Sequence, residues 1–275
     1  MNLQKLGAAI GGSRGKIELV APLRLTNTGD EAATVEFFDN YAAGTTLKRR
    51  SAGESWQPWD FSTITLQPGE YIEICGENQD RTTMLGKFEM TGEIAASGSI
   101  MSMVYGENTN VRNQLVLPFA AFGYYNEESG DEDGMFSGCT SLTTAPELPA
   151  TTLAAYCYQS TFSGCTSLTT APELPATTLA EGCYQSTFSG CTSLTTAPEL
   201  PATTLAAYCY AYTFQGCTSL TTVSVSFISW DEENSATSNW LDDVAATGTF
   251  TCPAALDTTT RDGSHVPEGW TVENF

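Results

Sequence analysis

Residues 136–153 read FSGCTSLTTAPELPATTL, and the same eighteen letters return at 162–179 and at 188–205. A fourth copy opens at Phe214 and fades after Thr222. Each block is followed by an octet, AAYCYQST, AEGCYQST or AAYCYAYT, so the unit is 26 residues long. A fixed period of 20–50 residues is the signature of an array whose units bury their apolar edges only against one another. Phe136, Cys139, Leu142 and Leu148 then define the core of the first unit. Phe162, Cys165, Leu168 and Leu174 repeat them in the second, Phe188, Cys191, Leu194 and Leu200 in the third, and Phe214, Cys217 and Leu220 in the partial fourth.

Within a unit, Ser141 to Ala145 has the Thr-rich character of a short strand, and Pro146 and Pro149 forbid helix beyond it. From Thr152 the octet is expected to close one or two helical turns, with Gly138 as a stop between units. Strand, turn and short helix together predict a stacked rod. The core F-x-x-C-x-x-L, as in Phe162 to Leu168, with Leu174 and Pro175 after it, resembles the BspA-like leucine-rich-repeat family over residues 136–222. The flanks at 88–106 and 248–270 resemble segments that bracket such repeats in proteins of gut bacteria and their phages. The resemblance implies a surface-displayed adhesin that binds a host or bacterial partner, with no catalytic residues to carry over. The unit here is slightly longer than the commoner family unit, with its extra residues in the Pro-rich turn.

The expected fold class is therefore α+β. An N-terminal antiparallel β-sandwich-like domain (1–126) leads through an acidic linker (127–135) to a short leucine-rich-repeat solenoid (136–222) and a C-terminal capping segment (223–275). Strand signals in the first part fall at 16–23, 34–38, 62–66, 71–75, 87–90 and 99–105, with Gln67-Pro68-Gly69-Glu70 as a tight turn. Trp56, Trp59 and Phe61 read as completing that domain's core, with a ligand platform as the other reading. Phe227, Trp230, Trp240, Leu241, Phe250 and Trp270 supply a cover for the last repeat.

Composition narrows the function. The formal charge is -21, from 32 acidic and 11 basic residues, which opposes binding to phosphate backbones or anionic membranes. Nucleic acid and membrane insertion are not expected. No run reaches the length of a transmembrane span, and the start lacks the pattern of an export signal. The expected location is extracellular or cell surface if a signal was removed, or else a phage virion.

Nine cysteines include two columns, at 139, 165, 191 and 217 and at 157, 183 and 209. Stacking keeps Cβ vectors parallel and the thiols outside preferred disulfide geometry, so a ladder of buried apolar thiols is expected. Zinc is disfavoured, since the two cysteines of a unit lie eight apart without a histidine. No metal or cofactor is implied.

The copies differ only in the octet. On a helical wheel the differing positions fall opposite Leu179, Cys183 and Thr187 and are read as outward. They nominate Tyr156, Gln159, Glu181, Gln185, Tyr208 and Tyr212 as binding residues, with the tyrosines as contact area. Glu147, Glu173 and Glu199 form a column of like charges that must face water or share a cation. Gly11-Gly12-Ser13-Arg14-Gly15 matches a nucleophile pattern, but the one histidine, His265, lies in the tail. The expectation is a non-enzymatic recognition or adhesion protein whose partner is a protein or glycan on a cell surface. Alternatives are a phage virion protein, bound to neighbouring virion proteins, and a structural spacer.

Overall fold

A computed structural model describes residues 21–39, 44–78, 85–106, 121–125 and 132–275. The Gly11–Gly15 pattern and most of the acidic segment after Glu127 lie outside the described residues. In chain order the strands of the first part are β1 (Leu23–Asn27), β2 (Ala33–Phe38), β3 (Leu47–Ser51), β4 (Gln57–Pro58), β5 (Ile64–Leu66), β6 (Tyr71–Gly76), β7 (Lys87–Thr91) and β8 (Ile94–Ser97). A single-turn helix α1 (Ser102–Tyr105) follows, then β9 (Gly123–Tyr125), β10 (Glu132–Gly134) and β11 (Leu142–Thr144). Beyond the repeats come β12 (Thr222–Ser224), β13 (Thr249–Cys252) and β14 (Thr271–Asn274).

One sheet runs β11-β8-β1-β6-β3-β4 and a second β5-β2-β7. Alternation sets their faces: β1 buries Leu23, Leu25 and Asn27, and β2 buries Ala33, Val35 and Phe37. Phe37 meets Trp59, Phe61 and Phe88 with ring centroids 6.0, 5.4 and 4.9 Å away. Trp59 is thus core, whereas Trp56 lies under the Arg50 guanidinium. Ser102–Tyr105, expected as strand, is α1. Residues 132–134, expected as solvated linker, pair with β9 instead, and Asp133 is bonded to Lys87 at 3.1 Å.

The expected α+β class is overturned, and with it the leucine-rich-repeat solenoid of strand and helix. The described residues are almost entirely β and turn, and α1 is the one α-helix among them. Residues 155–164, 181–190 and 207–216 are successive turns in which every fourth residue is left-handed. These are Tyr156, Ser160 and Gly164 (φ 56°, 52° and 72°), then Gly182, Ser186 and Gly190 (56°, 53° and 71°), then Tyr208, Tyr212 and Gly216 (53°, 57° and 72°). A left-handed residue every four steps stops an α-helix from propagating.

Hydrogen bonding explains why the chain accepts this. Gln159, Thr161, Ser163 and Cys165 donate their N–H three residues back within the unit. Tyr156, Tyr158, Ser160, Phe162 and Gly164 donate to Glu181, Cys183, Gln185, Thr187 and Ser189 of the next unit, at 2.7–3.0 Å. Buried donors are thereby satisfied. A non-glycine left-handed residue costs about 1–2 kcal/mol, and inter-unit bonds at about 1 kcal/mol each, with the buried rings, offset it.

The rings stack from unit to unit. Phe88, Phe136, Phe162, Phe188 and Phe214 follow one another at 5.1, 5.5, 5.7 and 5.7 Å. Phe122, Tyr158, Tyr184 and Tyr210 form a second column at 5.7, 5.8 and 5.9 Å. Both columns start on rings of the first part and end on Trp240, 6.3 Å from Tyr210 and 6.5 Å from Phe214. The period outlives the sequence identity, because Asn234, Ala236, Ser238, Trp240 and Asp242 accept bonds from the third unit, with Ser235, Asn239 and Asp243 again left-handed. Along the other edge β8 pairs in parallel with β11, and β12, β13 and β14 form a parallel sheet at the far end.

Candidate functional site

The repeated side chains that would carry chemistry are engaged inside the stack. All nine cysteines are free and buried. The thiols of Cys139, Cys165, Cys191 and Cys217 donate to the carbonyls of Phe88, Phe136, Phe162 and Phe188 at 3.1–3.2 Å. Burial pushes Cys139, Cys209 and Cys217 up to about 12, and Cys157, Cys165, Cys183 and Cys191 also well above an ordinary thiol. These are protonated, unreactive groups at neutral pH. Thr187 and Thr213 hydroxyls bond the carbonyls of Tyr158 and Tyr184 one unit back, at 2.9 and 2.8 Å. The fifteen core positions named from the repeat, from Phe136 to Leu220, are all buried.

The octets carry the variable face, and the structure divides the six nominated residues. Tyr156 is half-buried, and its hydroxyl donates to Glu181 Oε1 at 2.7 Å. Its ring lies over Gly182, where a Cβ would collide with Tyr156 Cδ1 and Cε1. Glu181 is exposed, and Gln185 is half-buried beside the same glycine. Tyr208 is the most open of the tyrosines at 43 % exposure, and Tyr212, four residues on, is half-buried. Gln159 is not on this face. It is fully buried, and neither atom of its side-chain amide has a partner. Ser160, Gly182, Ser186 and Ala211 are buried too. The wheel assigned them outward by assuming 100° per residue, a rotation that left-handed turns do not have.

Two further clusters complete the inventory. Glu147, Glu173 and Glu199 are exposed, and no group of three or more metal-ligating side chains gathers among the described residues. His265, read from sequence as part of a tail, is buried at the end of the stack. Its Nδ1 lies 2.8 Å from Asp262 Oδ1, its Nε2 3.3 Å from Glu232 Oε1, and Trp230 meets its ring at 5.0 Å. Both ring nitrogens are occupied by carboxylates, so the cluster clasps residue 232 to residue 265 and leaves no free nitrogen to act as a base. Sequence reading missed this clasp because its members lie 33 residues apart. No helix among the described residues is long and apolar enough to cross a membrane.

No protein-family model matches the chain, and no match is found among curated proteins or solved structures.

Proposed function

We propose that this chain is a non-enzymatic recognition protein that presents the turn face of its stacked units to a protein or glycan partner. One observation carries the reading. The three units are identical wherever they build the stack's interior columns, and the differences that reach solvent gather at Tyr156, Glu181, Gln185, Tyr208 and Tyr212. Tyrosines held on a stiff backbone give contact area at little entropic cost, and the cross-unit ladder fixes that backbone. The protonated thiols and the doubly clasped His265 support a binding role over a catalytic one. The resemblance to the BspA-like family points the same way.

The test is a glycan array and an affinity capture with the full chain, repeated with Tyr156→Ser, Tyr208→Ser and Tyr212→Ser combined. A partner bound by the native chain loses at least tenfold in affinity, as expected when aromatic anchors are removed, while the thermal melt shows a folded protein. Unchanged binding by the triple variant to every captured partner sinks the reading. So does turnover of a glycan or peptide that a single carboxylate substitution abolishes.

A further inference from the structure

A groove of about 370 Å³ opens between the Pro-rich turns of the first and second units, on a different edge from the octets. Its walls are apolar, with Leu148, Pro149, Pro172 and Pro175 among them, and Glu147 and Glu173 stand at equivalent places in the two units. Leu148 is buried at 2 % exposure, the three prolines are half-buried and both glutamates are exposed. Neither carboxylate has a basic residue within ion-pair distance among the described residues.

The chemistry of this lining is one-sided. Pro149, Pro172 and Pro175 have no N–H to offer, and the N–H of Glu147 is bonded to Gly98 O at 2.8 Å. The side chains add carboxylate acceptors and methylene surface and no donor. A sugar would find no aromatic platform here, and an acidic or acceptor-rich ligand would be repelled. A group with an apolar stem and a donor-rich cationic head fits. Arginine suits it better than lysine, because the guanidinium is planar, weakly hydrated and matched to two carboxylate oxygens at once.

We infer that the groove between the first two units binds an extended, arginine-bearing segment of a protein partner, with its guanidiniums on Glu147 and Glu173. Alternate residues on one face of an extended peptide are about 6.6 Å apart. The units repeat at 5.5 Å between the Phe136 and Phe162 centroids, so arginines two apart reach both carboxylates. The net charge of -21 favours the encounter.

The probe is fluorescein-labelled Ala-Arg-Pro-Arg-Ala, amidated, titrated with the full chain at low salt and followed by anisotropy. A second peptide carries citrulline, the neutral isostere, in place of both arginines. The arginine peptide binds in a salt-sensitive manner, the citrulline peptide at least tenfold more weakly. The double variant Glu147→Gln, Glu173→Gln loses at least tenfold while melting as the native chain does, and Glu181→Gln on the octet face changes affinity less than twofold. Equal binding of the two peptides overturns the inference. So does an equal loss in Glu181→Gln, which would trace binding to general acidity. Neither result touches the octet-face reading, which the tyrosine variants test.

Discussion

Gly182 offers a double-mutant cycle that separates backbone strain from side-chain packing on the variable face. The residue sits at φ 56°, where its counterparts in the other two units are Tyr156 and Tyr208. Alanine there takes on a left-handed penalty of about 1–2 kcal/mol, reduced by about 0.4–1 kcal/mol because the unfolded chain loses glycine's freedom. The backbone part of Gly182→Ala is therefore about 1 kcal/mol. The new Cβ must also push aside the Tyr156 ring, which covers this glycine and bonds Glu181. Losing that bond and its contacts adds about 1–1.5 kcal/mol. Gly182→Ala should thus cost about 2–2.5 kcal/mol in the native chain and about 1 kcal/mol in a Tyr156→Ser background. Urea titrations of the four proteins give the coupling directly. Costs that add to within about 0.5 kcal/mol would mean that the ring does not rest on Gly182, and the described shape of the octet face would be wrong.

Other consequences follow from the stack. Trp240 ends both ring columns and donates to His265 O at 3.0 Å, so Trp240→Ala should cost about 3–5 kcal/mol. Trp240→Phe, which keeps a ring, should cost about 1–2 kcal/mol; equal losses in urea unfolding would remove the ring contacts from the account. The native protein should show almost no thiol reaction with a disulfide reagent at pH 8 and release nine equivalents on unfolding. Each raised thiol leaves stability intact below the unfolded value near 8.5, and stability should fall above that pH toward about 12 as unfolded thiols ionise. A midpoint that stays flat from pH 8 to 10.5 refutes this. Burial works to raise the Glu73 carboxyl, but Arg24 and Arg50, at 2.5 and 2.6 Å, outweigh it and hold it low. Stability from this site is full above about pH 4.3 and falls as pH drops below it. Glu73→Gln should cost about 1–2 kcal/mol at pH 7, discounted for the half-open arginines, and flatten the acid limb. An unchanged limb in urea midpoints between pH 3 and 6 refutes the assignment.

The columns were legible in the sequence because identity at a fixed spacing places equivalent side chains on top of one another whatever the backbone does between them. Phe136, Cys139, Leu142 and their counterparts could therefore be named as core without knowing the unit's shape. The shape was not legible, and the reason is numerical. Left-handed residues every four positions produce a side-chain period of 4, which a short octet cannot distinguish from the 3.6 of a helix. Tyr156, Ser160, Tyr208 and Tyr212 give no warning either, because tyrosine and serine carry no preference for positive φ of the kind glycine has. Only the ladder to the neighbouring unit holds them there, a tertiary effect that no local pattern records.

The same confusion decides what was right about the candidate site. Tyr156, Glu181 and Tyr208 reach solvent because their columns, 155/181/207 and 156/182/208, lie on the outer edge of the turns. Gln159 does not, and its column, continued by Gln185 and Ala211, shows that variation is no measure of exposure in a stack. A position between two identical layers tolerates glutamine or alanine as its immediate neighbours allow, and nothing in the structure explains the polarity of Gln159. The C-terminal layer makes the converse point. Residues 231–243 share almost no letters with the repeats, yet Trp240 stands 26 residues after Phe214 and Ala236 the same distance after Tyr210, and their carbonyls accept the N–H bonds of those two residues. Spacing is what the ladder requires, since each N–H must find a carbonyl one layer on. Identity is required only where a ring, a leucine or a thiol must fit between identical neighbours, so an array of this kind keeps its period after its sequence has drifted.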